Sequence, residues 1–343
     1  MKEFILDYKN NEEKALLKLN YRYIQAMRPS TFIEQSISTK IDDEKYLDKY
    51  LDAFQEGRYE TQNKKMLNHF LKPEEIELIQ EFYKRIKLNK LDHFSFKDGL
   101  TRALITLRAI ENLNFDKEND FILEIGPGSG ILASLIGIKK YKYVGIENSE
   151  FLYFTQARIL NSILDKVNFI YKTDNKEIKN FNILSWWKVP EIEFPKVKIV
   201  IMNSCVNEIN DFGFRYYLSL FKKLLSDDSK IIIDKYGGGK FNINKNLLSN
   251  HYKLFYNNIF KHEEINNYLP VSIFQKRGNS FDLKNNITPI LFKLYQRYSL
   301  NRKILKNEFK QTFDKNFNKS KFDDYFDKNI SENSKFMLEI FKI

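Results

Sequence analysis

Apolar residues recur at helical spacing through the first third of the chain. Between Glu12 and Met27 they fall at Ala15, Leu16, Leu19, Tyr23 and Ala26, and Arg28-Pro29 closes the run, because the residue before a proline is pushed out of the helical region. Asp42 to Phe54 is a second amphipathic stretch, stopped at Gly57. A third opens at Pro73-Glu74-Glu75 and continues through Ile76, Ile79, Phe82, Tyr83 and Ile86. Proline suits a first helical turn, and acids suit the positive end of the helix. The fourth covers Asp98 to Leu113, with Leu100, Ala103, Leu104, Leu107 and Ile110 on one side. The spacing predicts a helical region over residues 1–115, on the substrate or cap side, packed onto the next domain without a Gly/Ser linker.

From Asp120 the pattern changes. Short apolar runs at Phe121–Ile125, Tyr143–Glu147, Val167–Tyr171, Val197–Asn203 and Lys230–Asp234 read as strands. Helical stretches fall between them at Ile131–Ile138, Phe151–Ser162 and Phe212–Leu225. Such alternation predicts an α/β fold, a parallel sheet flanked by helices, over residues 116–240. Sheets of this kind bind ligands beyond the carboxyl ends of their strands. Residues 241–343 carry a weaker pattern, with helical stretches at Ile290–Tyr298 and Phe322–Phe341. They are expected to complete or cover the core.

At the carboxyl end of the first strand stands Phe-Ile-Leu-Glu124-Ile-Gly126-Pro-Gly128-Ser-Gly130-Ile131. Glycines allow positive φ and close approach of a ligand to the backbone. A mononucleotide loop would end in Gly-Lys-Ser/Thr, and Gly130-Ile131-Leu132 does not. A dinucleotide loop would need its third glycine at position 131, which is Ile131. Glu124 near the turn repels a diphosphate and suits a cation. Glu147 ends the second strand 19 residues after Gly128, close to the roughly 20 residues at which an acid meets ribose hydroxyls. Its plainer reading is a solvated acid at a strand end.

The acid-x-Gly-x-Gly-x-Gly pattern resembles the first motif of the class I S-adenosylmethionine-dependent methyltransferases, over roughly residues 98–240. The resemblance implies a Rossmann-like methyltransferase sheet and S-adenosylmethionine as cofactor. It places the amino-acid part of the cofactor against Glu124, Gly126, Gly128 and Gly130, and the ribose against Glu147. In the same family an acid or amide after the third strand bonds adenine, which points to Asp174; the alternative is a plain turn aspartate. Trp186 or Trp187 is a candidate to stack on a ring, with core packing as its alternative. The fourth strand ends at Asn203-Ser204-Cys205-Val206-Asn207-Glu208, beside the methyl group in the family. Asn203 is expected to orient a substrate hydroxyl, and Glu208 to take its proton as general base. His93, just before the helix that leads into the first strand, is a second candidate base. Cys205 reads as a small buried residue.

For the acceptor, the arrangement resembles a bacterial group of sugar O-methyltransferases associated with polysaccharide biosynthesis. The shared features are the helical N-terminal part, the Glu-Ile-Gly-x-Gly turn, Glu147 with Glu150 and Gln156, and Asn203-Ser204 followed by Glu208. The chain departs from that group at Cys205, where a histidine is expected. The resemblance implies methyl transfer to a hydroxyl of a small molecule or sugar.

Composition adjusts this picture at two points. The net charge is +11, and residues 241–343 hold 18 Lys+Arg against 10 Asp+Glu. A nucleic-acid or protein methyltransferase gripping its substrate with this basic region is therefore the competing function. The competing account of the charge itself is an AT-rich codon bias, since Lys, Asn, Ile, Phe and Tyr are abundant together. One cysteine excludes a disulfide framework and a multi-cysteine zinc site, and no metal is expected. No apolar run approaches the roughly 18 residues of a membrane span, and a cytoplasmic location is expected.

Overall fold

The computed structural model describes residues 2–28, 41, 47, 73–89, 97–113, 115–203, 205–206, 209–234, 252–261 and 268–276. Four helices precede the sheet: α1 (Lys2–Leu16), α2 (Tyr21–Met27), α3 (Pro73–Leu88) and α4 (Lys97–Glu111). Then come β1 (Phe121–Ile125), α5 (Ile131–Ile138), β2 (Lys142–Glu147), α6 (Glu150–Ile163), β3 (Asn168–Ile170) and β4 (Phe181–Ser185). A short 3-10 helix, Trp186–Glu191, leads to β5 (Val197–Asn203), α7 (Asp211–Leu224), β6 (Leu225–Asp234), β7 (Tyr252–Lys261) and β8 (Tyr268–Lys276).

The strands form one sheet in the order β3-β4-β2-β1-β5-β6-β8-β7. β1 to β6 run parallel, and β8 and β7 close the far side antiparallel. The chain steps from β1 to β2 on one side and returns to β5 on the other, so the order reverses at the carboxyl end of β1. A doubly wound, Rossmann-like sheet opens its ligand crevice at that reversal. Every residue of β1 is buried, and β5 is buried as far as Met202. Near-continuous apolar strands result when helices cover both faces of a parallel sheet.

Three expectations change. The single helix expected over Glu12–Met27 is two helices, broken where Asn20 caps α2 by accepting from Arg22 N at 2.8 Å. A capping asparagine competes with helix continuation in this way. The third strand is shorter than the expected Val167–Tyr171 and sits at the sheet edge. Its place beside β2 is taken by β4, a segment that sequence spacing assigns to a connection. The helix expected over Asp42–Phe54 and those at Ile290–Tyr298 and Phe322–Phe341 lie outside the described residues, save Leu47.

The N-terminal helices are packed onto the core. On α1, Phe4 meets Tyr171 edge-on at 5.1 Å, and Tyr8 meets Tyr153 of α6 at 4.8 Å and Trp187 at 4.6 Å. The Tyr23 hydroxyl of α2 donates to Trp186 O at 2.5 Å. Both tryptophans are 1% exposed, so the structure assigns them to core packing under α1 and α2. α2 also closes on α7, where a Cβ added at Gly213 would stand 2.5 Å from Ala26 O. Between α3 and α4, Arg108 and Glu75 form a buried two-pronged pair.

Candidate active site

The turn after β1 is built from three glycines that all hold positive φ: Gly126 at 65°, Gly128 at 62° and Gly130 at 81°. Any other L-residue is strained there. Each glycine has a different neighbour. A Cβ on Gly126 would sit 2.8 Å from Cys205 Cβ, and one on Gly130 would sit 3.3 Å from Gln156 Cγ. A Cβ on Gly128 would meet nothing within 4 Å. Gly126 and Gly130 are therefore demanded by the protein's own packing, whereas Gly128 borders open space. Gly130 starts α5, and its carbonyl accepts from Ser134 N at 2.8 Å and Ser134 Oγ at 2.7 Å. The Cys205 thiol donates to Ile125 O at 3.0 Å. Cys205 thus acts as the buried spacer expected of it.

Two carboxylates lie at the turn. Glu124, 2% exposed, accepts from the Tyr143 hydroxyl at 2.6 Å. Glu147 is 3% exposed. Its Oε1 accepts from Ser149 N at 2.9 Å, and its Oε2 from Gln156 Nε2 at 2.8 Å and, at the longer distance of 3.3 Å, from Gly128 N. Burial pushes the Glu147 carboxyl up to about 7, against the donors from Ser149, Gln156 and Gly128 that favour its charged form. Glu147 is not a solvated strand-end acid. It is wired to the glycine turn across the gap between β1 and β2.

At the end of β5, Asn203 Nδ2 donates to Thr106 Oγ1 of α4 at 2.9 Å. Its Oδ1 is buried and has no hydrogen-bond partner among the described residues. A buried amide oxygen left open in this way calls for a donor from elsewhere. Asn148, just after β2, donates to Met27 O at 2.6 Å and accepts from the Tyr217 hydroxyl at 2.8 Å. Asn210, which caps α7, donates to Gln25 O at 3.0 Å. These two asparagines carry the end of α2 across the carboxyl side of the sheet. Glu150, which accepts from Ile41 N at 3.1 Å and faces Lys9 at 3.5 Å, fixes α1 beside them. Burial raises the Glu150 carboxyl above its ordinary value.

Asp174 does not join this group. It is exposed and comes after β3, the outermost strand. The strand next to β2 is β4, and it ends at Ser185 and Trp186. The position beside Glu147 is thereby held by Ser185–Trp186, because β4 is inserted where the sequence pattern shows only a connection. Ser185 Oγ donates to Ile170 O at 3.2 Å. His93 and Glu208 lie outside the described residues, as do Ser204 and Asn207.

Two residues now drawn into the site have no role assigned by sequence reasoning. Thr106 is a polar residue, fully buried, among the apolar positions of α4. Gln156 is likewise fully buried within the apolar α6. A polar side chain at an apolar helical position is the signal available for both.

No protein-family model matches the chain, and no curated protein matches it. Solved structures do. Among them is magnesium protoporphyrin IX methyltransferase (ChlM) from Synechocystis PCC 6803 with bound S-adenosylmethionine, 11% identical, covering 69% of this chain and 100% of its own, at a TM-score of 0.37. Another is the StiE O-MT segment, 14% identical, covering 60% and 85%, at 0.40. A third is the glycopeptide N-methyltransferase MtfA complexed with S-adenosylmethionine, 8% identical, covering 51% and 87%, at 0.36. At such identities and scores these likenesses carry no argument about chemistry. The turn, its two carboxylates and the open face of Gly128 are what bear on the chemistry.

Proposed function

We propose that this chain is an S-adenosylmethionine-dependent methyltransferase that transfers a methyl group to a hydroxyl of a small molecule or sugar. The observation that carries the cofactor reading is the open face of Gly128 beside two buried carboxylates. A phosphate ligand would meet Glu124 and Glu147 at close range and be repelled. A ligand bearing a sulfonium, an ammonium and no phosphate would not be. The cofactor supplies a methyl carbon already activated for displacement by its positive sulfur.

The protein's part is to bind, align and exclude water. The backbone at Gly128 lets the ligand approach closely, and Glu124 favours the cationic end. Glu147 accepts ribose hydroxyls. A carboxylate offers about four acceptor positions, and the Asn148 backbone is a fourth donor beside Ser149, Gln156 and Gly128. A ribose hydroxyl would replace the long bond from Gly128 N. The backbone at the end of β4, Ser185–Trp186, takes over from Asp174 the place beside adenine, while the Trp186 ring stays in the core. Asn203, whose Oδ1 has no partner among the described residues, accepts from a second substrate hydroxyl and so orients the reacting one for in-line attack. Glu208 is the proposed base that takes the reacting hydroxyl's proton, and His93 is the second candidate. The cytoplasm is the proposed location. Among the described residues no helix is long and apolar enough to cross a membrane.

The acceptor is tested by incubating the protein with methyl-labelled cofactor and, separately, nucleotide sugars, oligosaccharides, RNA, DNA and basic proteins. Label in a base-stable ether on a sugar supports this reading. Label in nucleic acid or protein, with retention on heparin through moderate salt, replaces it with a methyltransferase that grips a polymer by its basic C-terminal region.

A further inference from the structure

The described donors and acceptors around the glycine turn converge on one side chain that the proposed mechanism does not use. Gln156 projects from α6 and is fully buried. Its Nε2 donates to Gly128 O at 2.7 Å and to Glu147 Oε2 at 2.8 Å. An amide nitrogen has two hydrogens, so both are in use. The orientation is forced, because both partners are acceptors and a flipped amide would set oxygen against oxygen. Its Oε1 is buried and has no hydrogen-bond partner among the described residues. Leaving that oxygen bare is unfavourable, and the two bonds from Nε2 are what holds the side chain in place. Gln156 Cγ also lies 3.3 Å from where a Cβ on Gly130 would be. The same residue therefore packs on the last glycine, ties down the carbonyl of the middle one, and holds the carboxylate at the end of β2.

We infer that Gln156 is a positioning residue of the cofactor site, which clamps the glycine turn and Glu147 in one register so that a ribose diol meets a carboxylate already aimed beside Gly128. The inference rests on the proposed cofactor reading. Its consequence runs through Glu147. Burial favours the protonated carboxyl, and the Gln156 donor opposes this. Among the described residues, Tyr8 of α1, Tyr143 of β2 and Tyr217 of α7 face Glu147, and burial keeps all three neutral by raising them well above their ordinary value. Near neutral pH these three hold their charge state while Glu147 changes its own.

The test uses the full chain, Gln156→Leu and Gln156→Glu. The first readout needs no cofactor: the carboxyl 13C titration of Glu147, assigned with Glu147→Gln. The midpoint is expected to rise by about one unit in Gln156→Leu and further in Gln156→Glu, where a second carboxylate faces the first. The second readout is S-adenosylmethionine binding by calorimetry at about pH 6 and about pH 9. Gln156→Leu is expected to lose about tenfold more affinity at the lower pH than at the higher, since only there does the raised midpoint deplete the charged form. An unmoved midpoint, or equal losses at both pH values, overturns the positioning role while wild-type binding leaves the cofactor reading intact. If the wild type binds no S-adenosylmethionine at either pH, the cofactor reading fails and this inference with it. Gln156→Glu retains the size of the side chain, so it reads the same question if the leucine variant does not fold.

Discussion

Gly126 and Gly128 lie two residues apart in one turn, with φ values of 65° and 62°, and alanine at each should have opposite consequences. Both substitutions force a side chain into left-handed backbone, at a cost of roughly 1–2 kcal/mol. At Gly128 that is the whole cost to stability, because the added methyl meets nothing within 4 Å. At Gly126 the methyl would stand 2.8 Å from Cys205 Cβ, a buried contact at the junction of β1 and β5. Relief requires the chain at Cys205 to shift, adding the roughly 1–3 kcal/mol typical of overpacking. Gly126→Ala should therefore lose about 2–5 kcal/mol, and Gly128→Ala only about 1–2 kcal/mol. Cofactor binding should rank the other way. The Gly128 methyl occupies the face offered to the ligand, so Gly128→Ala should bind S-adenosylmethionine at least about tenfold more weakly while remaining folded. Urea unfolding and calorimetric titration of both variants give the two scales. Normal binding by a folded Gly128→Ala would show that the ligand does not lie against this turn.

The buried charges have consequences of their own. The folded Glu147 carboxyl is raised from 4.5 to about 7, so the native state binds more protons than the unfolded chain between those values. Its contribution is favourable below the unfolded value and is lost as pH rises through about 7. Glu147→Gln should thus gain stability relative to wild type on going from acid to pH 8, by on the order of 3 kcal/mol; urea unfolding at the two pH values checks this, and a constant difference would contradict it. Arg108→Met leaves Glu75 buried without its two-pronged partner and should cost about 3–5 kcal/mol, seen in the same assay. Asn203→Ala should spare cofactor affinity and lower kcat at least about tenfold, because its Oδ1, without a partner among the described residues, is assigned to the acceptor; equal turnover would remove it from the reaction.

The turn itself was readable from sequence because its requirements are local. Glycines at alternate positions after an apolar strand, with an acid inside it, are what positive φ and close ligand approach demand. The place of Glu147 beside the turn was readable because its spacing reflects one strand–helix–strand unit. The rest is non-local. Asp174 looked suitable since it comes after an apolar run, but β3 is an edge strand and β4 pairs with β2, with Asn182 buried between them and donating to Tyr143 O at 3.0 Å. No spacing rule reveals that pairing. The tryptophans looked like a possible ligand platform until Tyr8 and Tyr23, more than 160 residues distant in sequence, were seen to cover them. The roles of Gln156 and Thr106 depend on partners from other elements in the same way.

The central claim is that the glycine turn and Glu147 hold S-adenosylmethionine. Isothermal titration of the wild-type protein and Glu147→Ala with that cofactor tests it most directly. The expected result is binding by the wild type on the order of micromolar and a loss of at least about tenfold in the variant, the equivalent of roughly 1.4 kcal/mol. No binding by the wild type, or equal binding by both proteins, would contradict it.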